Sequence, residues 1–198
     1  MSSLKSFLSA VSPIIGVSPA ALYERQRALV KLGLLMVAPG RGPGSGVSFT
    51  AENFAAVLIS VLAAETLSQV DQYIVDLCNA QPDGTLPFGS GRTIWNNLGK
   101  PTFLTDVARV LSGQNTRWRH SESRQREYFG IRVSRVWRGQ IVDSPTGSRP
   151  IVYYPDDSDK YMPIRSISIT AEIEHEMLSK LATFTQGALS QVDDGDDE

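Results

Sequence analysis

One cysteine, Cys78, and two histidines, His120 and His175, are all the chain holds of those residues. A lone cysteine closes no internal disulfide, which excludes a disulfide scaffold of the secreted kind. One Cys and two His also fall short of the four ligands a zinc site built from those side chains needs. Long apolar runs are missing too. The longest, Phe54–Ala64, carries Ser60 inside it and is far shorter than the ~20 residues that cross a bilayer. The segment Met1–Gly16 has a single lysine, a weak apolar run, Pro13 and no clear small-residue cleavage site, so no signal peptide is expected. Charge of one sign is absent in bulk: 19 Lys and Arg stand against 21 Asp and Glu, for a formal net charge of −2. What is present is ordinary, 41% apolar and 20% charged over 198 residues. That excludes wholesale disorder and predicts one domain, or a small domain with a second module. The expectation is a soluble, cytoplasmic, membrane-free chain with no metal and no cofactor.

Catalytic motifs are missing as well. Gly40-Arg41-Gly42-Pro43-Gly44 offers glycines, but Pro43 and the lack of a helix after it break the context of a dinucleotide loop. Gly99-Lys100 has no following Ser or Thr, and Phe88-Gly89-Ser90-Gly91 is not a nucleophile elbow. His120 and His175 sit in no recognisable motif, and His175 reads as an exposed helix residue. Asp156, Asp157 and Asp159 lack the glycine and closing Glu of a calcium loop, so a turn is the better account. The chain is not expected to be an enzyme.

The placement of charge says more than its sum. Met1–Thr50 holds five cations against one carboxylate, and Asn115–Arg138 holds seven arginines against two glutamates. Asp193, Asp194, Asp196, Asp197 and Glu198 close the chain. Two basic blocks and an acidic end point to a polyanion met by part of the chain. In the second block Arg117, Arg119, Arg124 and Arg126 are interleaved with Trp118, Tyr128, Phe129 and Trp137. That pattern suits a second nucleic-acid surface that stacks bases, and equally a sheet with a basic outer face. The acidic end reads as a solubilising tail, or as a segment that folds back on a basic face.

The first fifty residues have the clearest local grammar. Leu4, Phe7, Leu8 and Val11 define one helix face, which Pro13 and Gly16 end or bend. Ser18 is placed as an N-cap with Pro19 at the first helical position, and the helix runs to a stop at Gly33. Leu22, Leu29 and Leu32 point inward with the stem of Arg25 nearby, while Ala20, Tyr23, Glu24, Arg27 and Lys31 fall on the other side. Leu34–Val37 reads as a strand, Ala38–Gly46 as an irregular loop, Val47–Phe49 as a returning strand, and Thr50 as the cap of a helix through Leu67. Phe54–Ala64 is apolar nearly all round, a core helix or a dimer seam. Farther on, Glu65–Ala80 reads as a helix, Thr102 or Thr105 as a cap, and Tyr128–Arg138, Gln140–Asp143 and Ile151–Tyr154 as strands. Glu172–Phe184 reads as a terminal helix.

Phe7–Lys31 with Gly16 at the turn, Val17-Ser18-Pro19 opening the second helix, Gly33-Leu34-Leu35 after it and Gly40–Gly44 as a loop tip resemble the winged helix-turn-helix family of bacterial and phage DNA-binding regulators. The resemblance covers residues 3–50, about a quarter of the chain, and Pro13 departs from it by falling where the first helix should run. It implies an N-terminal winged helix-turn-helix; with the elements read farther along the chain, the expectation is an α+β fold with central helices and a small C-terminal antiparallel sheet with a terminal helix. Residues 1–66 would form the DNA-binding unit with its following helix, 67–188 an oligomerisation or partner domain, and 189–198 a disordered acidic tail. The implied function is sequence-specific binding of double-stranded DNA by a homodimeric, nucleoid-associated transcriptional regulator, with 19–32 in the major groove and the wing 38–46 at the minor groove. Expected contacts are Ser18, Ala20, Tyr23, Glu24, Arg25, Arg27, Lys31, Arg41 and Ser45. A protein partner is also expected at the C-terminal region; the competing expectation is a non-catalytic phage-type assembly or DNA-packaging adaptor whose helix-turn-helix mediates protein contacts.

Overall fold

Leu4, Phe7, Leu8 and Val11 stack on one side of any helix that contains them, and they are the buried side of α1, Leu4–Ile15. The structure is a computed structural model that describes residues 3–38, 46–82, 102–113, 128–134, 138–144, 151–154, 170–173 and 175–193. Pro13 lies inside α1 rather than ending it. Its ring costs the Ser9 carbonyl a backbone donor, on an exposed turn where solvent can serve instead. The chain turns at Gly16, whose φ of +74° suits a residue without a Cβ.

Helix α2, Pro19–Lys31, begins as its sequence dictates. The Ser18 hydroxyl accepts from the Ala21 N–H at 3.3 Å, and Pro19 opens the first turn. Ser18→Ala is expected to lower stability by about 1 kcal/mol, read as a fall in the urea midpoint; an unmoved midpoint would show the cap to be idle. Beyond α2, Gly33 takes φ +76°, and the N–H groups of Leu34 and Leu35 both turn back to the Leu29 carbonyl. Those donors are spent on closing the helix, so Leu34–Val37 is not the strand its apolar character predicts. Val47–Phe49 returns beside α1 instead. Val47 accepts from the Leu4 N–H at 2.9 Å, and Ser48 bridges Ser3 antiparallel. The ends of the intervening loop are tied by the Ala38 N–H donating to Gly46 at 3.0 Å.

Thr50 caps α3, Ala51–Ala63, by accepting from the Asn53 N–H at 3.0 Å. Every residue from Phe54 to Ser60 is buried. Helix α2 packs against α3, together with α4, Gln72–Asn79, and α5, Phe103–Leu111. A helix that is apolar all round is buried all round. The dimer seam is thereby overturned for Phe54–Ser60, because no apolar face of that stretch is left for a second copy. The single helix expected over Glu65–Ala80 is also corrected. Leu67–Gln69 is one 3₁₀ turn, Val70 leaves helical geometry, and Asp71 starts α4 afresh by accepting from the Tyr73 N–H. Gln69 accepts from the Glu65 and Thr66 N–H groups and Asp71 from that of Tyr73, so local side chains take donors and favour helix starts over a continuous helix.

Thr102 and Thr105 form a capping box at the head of α5. Among the described residues helix outweighs strand, and the strand backbones pair antiparallel in the order β1-β4-β3-β2-β5. These are β1, Gln81–Pro82; β2, Tyr128–Ser134; β3, Arg138–Ser144; β4, Ile151–Tyr154; and β5, Thr170–Ile173. Ile131 and Val133, two apart on β2, are buried, and β2 packs against α3 and against α6, His175–Asp193. Helix α6 runs nine residues past the end expected at Phe184 and takes up 189–193, which were expected to belong to a disordered tail. Leu178, Leu181, Ala182 and Thr185 keep its buried stripe going, and Leu189 packs against the core one turn later. The core is contiguous from Leu4 in α1 to Leu181 in α6.

Candidate nucleic-acid interface

Helix α2 sorts its residues by period. Leu22, Arg25, Gln26 and Leu29 are buried, while Ala20, Arg27 and Lys31 are exposed and Tyr23 and Glu24 half-buried. Ala20, Tyr23, Glu24, Arg27 and Lys31 therefore share one outward face, with Ser18 exposed at its start. On that face the Arg27 Nη1 donates to both oxygens of the Glu24 carboxylate, at 3.0 and 3.2 Å. Lys5 joins from α1, its ammonium 4.6 Å from the centre of the Tyr23 ring, a contact worth about 0.5–1 kcal/mol at an exposed site. Sequence reasoning missed Lys5 as a member of this face. The available signal was its place one residue after Leu4, off the buried stripe of α1; which neighbour it would meet depended on how the helices pack.

Arg25 is the correction. Expected at a phosphate or a base, it is buried at 7% relative exposure and points into the molecule. Nη1 donates to the Ser60 carbonyl and Nη2 to that of Ala64, both at 2.8 Å, with Glu65 at 3.4 Å. The Ala64 carbonyl at the end of α3 lacks an intrahelical donor, and Ser60 already accepts from the Ala64 N–H, so the guanidinium supplies the first, adds a second donor to the other and meets the partial negative charge of the helix end. Burial lowers the Arg25 pKa by withdrawing water from the cation, and Nε is left buried without a partner. Arg41 and Ser45 of the loop, and Arg117, Arg119, Arg124 and Arg126 of the second basic block, lie outside the described residues.

Among the described residues no three His, Cys, Asp or Glu side chains lie together as a metal site, and no helix is long and apolar enough to cross a membrane. Cys78 is fully buried in α4, and desolvation pushes its thiol up to about 12. At pH 8 it should ignore a thiol reagent in the native protein and react fully in denaturant. Rapid native labelling would contradict that burial.

An open groove of about 700 Å³ runs between α1 and α6, lined in part by Phe7, Ala10, Ile14, Phe184 and Ala188. At 100° per residue, Phe7, Ala10 and Ile14 lie on the side of α1 away from Lys5. The apolar groove and the cationic face are thus separate surfaces. Comparison of the chain with protein-family models, with curated proteins and with solved structures finds no match.

Proposed function

We propose that the N-terminal unit is a winged helix-turn-helix and that the protein binds double-stranded DNA through it as a regulator. The observation that carries this reading is the outward face of α2, where Arg27 and Lys31, with Lys5 alongside, stand clear of the core while Arg25 turns inward. Chain order supports it: helix, glycine turn, helix, then a loop whose ends are joined at Ala38 and Gly46 and whose return runs beside Ser3. A helix fits the major groove, where a guanidinium donates twice to guanine, and ammonium groups take phosphates. The site residues of this reading are Ser18, Ala20, Tyr23, Glu24, Arg27 and Lys31, with Lys5 added. Arg41 and Ser45 belong to it as the wing.

Fluorescence anisotropy with labelled duplexes tests the reading. Arg27→Ala should remove about 1–3 kcal/mol of discrimination at one base position, whereas Lys31→Ala should weaken all duplexes alike and flatten the salt dependence by about one unit. Absence of duplex binding at low salt would end the regulator reading. The apolar groove between α1 and α6 favours a second reading, an assembly or packaging adaptor that contacts protein. That protein would show no sequence preference and no promoter occupancy. Homodimerisation belongs to the regulator reading because two half-sites one helical turn apart double the contacts of a single helix.

A further inference from the structure

We propose that Glu24 sets the base preference of α2 by holding Arg27 off the phosphates and presenting its free edge to a guanine, an inference that rests on the DNA-binding reading above. Both contacts from the Glu24 carboxylate go to Nη1 of Arg27, at 3.0 and 3.2 Å. The Nη2 and Nε side of the guanidinium is therefore left to donate elsewhere. Guanine asks for two parallel donors, to O6 and N7, and a planar fork anchored at one corner meets that demand with less freedom to lose.

An unanchored arginine on this face would take any phosphate within reach, which adds affinity but no sequence information. The carboxylate opposes that outcome, because an approach to the backbone brings it against the same anions. Glu24 and Arg27 are 45% and 56% exposed, and an exposed pair of this kind adds almost nothing to folding stability. Its consequence appears when the groove excludes water and the charges interact at a lower dielectric. Lys5 and Lys31, which no described carboxylate engages, supply the phosphate contacts instead. An aspartate can reach an arginine across the same three-residue step: in α5, Arg109 Nη1 donates to one oxygen of the buried Asp106 carboxylate at 2.8 Å.

Full-length wild type, Glu24→Gln, Glu24→Asp and Arg27→Ala would each be taken through selection from a pool of randomised duplexes. Binding would then be measured against the selected site and a scrambled duplex across salt concentration. Wild type should enrich a site with a guanine that Arg27→Ala no longer requires. Glu24→Gln should lose about tenfold of that guanine preference. It should also bind the scrambled duplex about five- to tenfold more tightly and steepen the salt slope by about one unit. Glu24→Asp should keep the wild-type preference. If Glu24→Gln retains both guanine preference and salt slope, or Glu24→Asp fails as Gln does, the inference falls and DNA binding stands. If wild type binds no duplex even at low salt, the DNA-binding reading falls and takes this one with it.

Discussion

Arg25→Ala should destabilise the protein by about 3 kcal/mol, a large share of the roughly 5–15 kcal/mol that holds a domain together. The guanidinium is the donor for the Ala64 and Glu65 carbonyls and a second donor for Ser60 at the end of α3. Hydrogen bonds from a charged donor are worth about 1.5–3 kcal/mol each, offset here by the cost of burying the cation. Arg25→Met should lose less, by about 1 kcal/mol, since it keeps an apolar stem in the space between α2 and α3. Urea unfolding followed by far-UV circular dichroism measures both. Duplex affinity per folded molecule should stay near wild type, because the side chain faces the core. A loss of affinity with stability intact would return Arg25 to the surface.

Arg25 shows what the sequence carried and what it did not. Position and residue type gave opposite answers at Arg25. Its spacing from Leu22 and Leu29 put it on the inward face, whereas its charge argued for solvent. Position won because α3 ends beside it with carbonyls that need a donor, and no local pattern reveals where another helix will end. Where both signals agree, the sequence was enough: Ser18-Pro19 starts α2, Thr50 starts α3, and the apolar stripe of α1 is buried as its spacing demands, while the choice left open between Thr102 and Thr105 falls to Thr102 at α5. Capping is settled within three or four residues, so it can be read without the fold.

The misread segments share a different cause. Leu34–Val37 is apolar enough for a strand, yet two of its N–H groups are consumed by the end of α2. Met36 and Val37 are left exposed, at 84% and 52%. Over Glu65–Ala80 the apolar stripe continues while the backbone breaks twice, since the Gln69 and Asp71 side chains take the N–H groups of Glu65, Thr66 and Tyr73. The candidate site was legible in the same uneven way. Ala20, Tyr23, Glu24, Arg27 and Lys31 share a face by period alone, and Glu24 and Arg27 are neighbours on it by their three-residue spacing, but Lys5 joins them only through packing between α1 and α2.

Phe7→Ala should cost about 3–5 kcal/mol and loosen both ends of the chain at once. The ring is 5% exposed and touches three others: stacked on Phe49 with centroids 4.1 Å apart, edge-on to Phe54 at 4.9 Å, and tilted against Phe184 at 5.4 Å. Those partners come from the segment after the loop, from α3 and from α6, so one side chain links the loop's return to the last helix. Each aromatic pair contributes about 0.5–1.5 kcal/mol beyond the area it buries. Phe184→Ala alone should cost less, since that ring is 38% exposed. A double-mutant cycle should give the Phe7–Phe184 pair a coupling of about 0.5–1.5 kcal/mol. Because the core is contiguous from α1 to α6, the variant should still unfold in one transition at a lower urea midpoint. Strictly additive single changes, or a transition that splits with α6 melting first, would mean that the last helix does not share the core of the first.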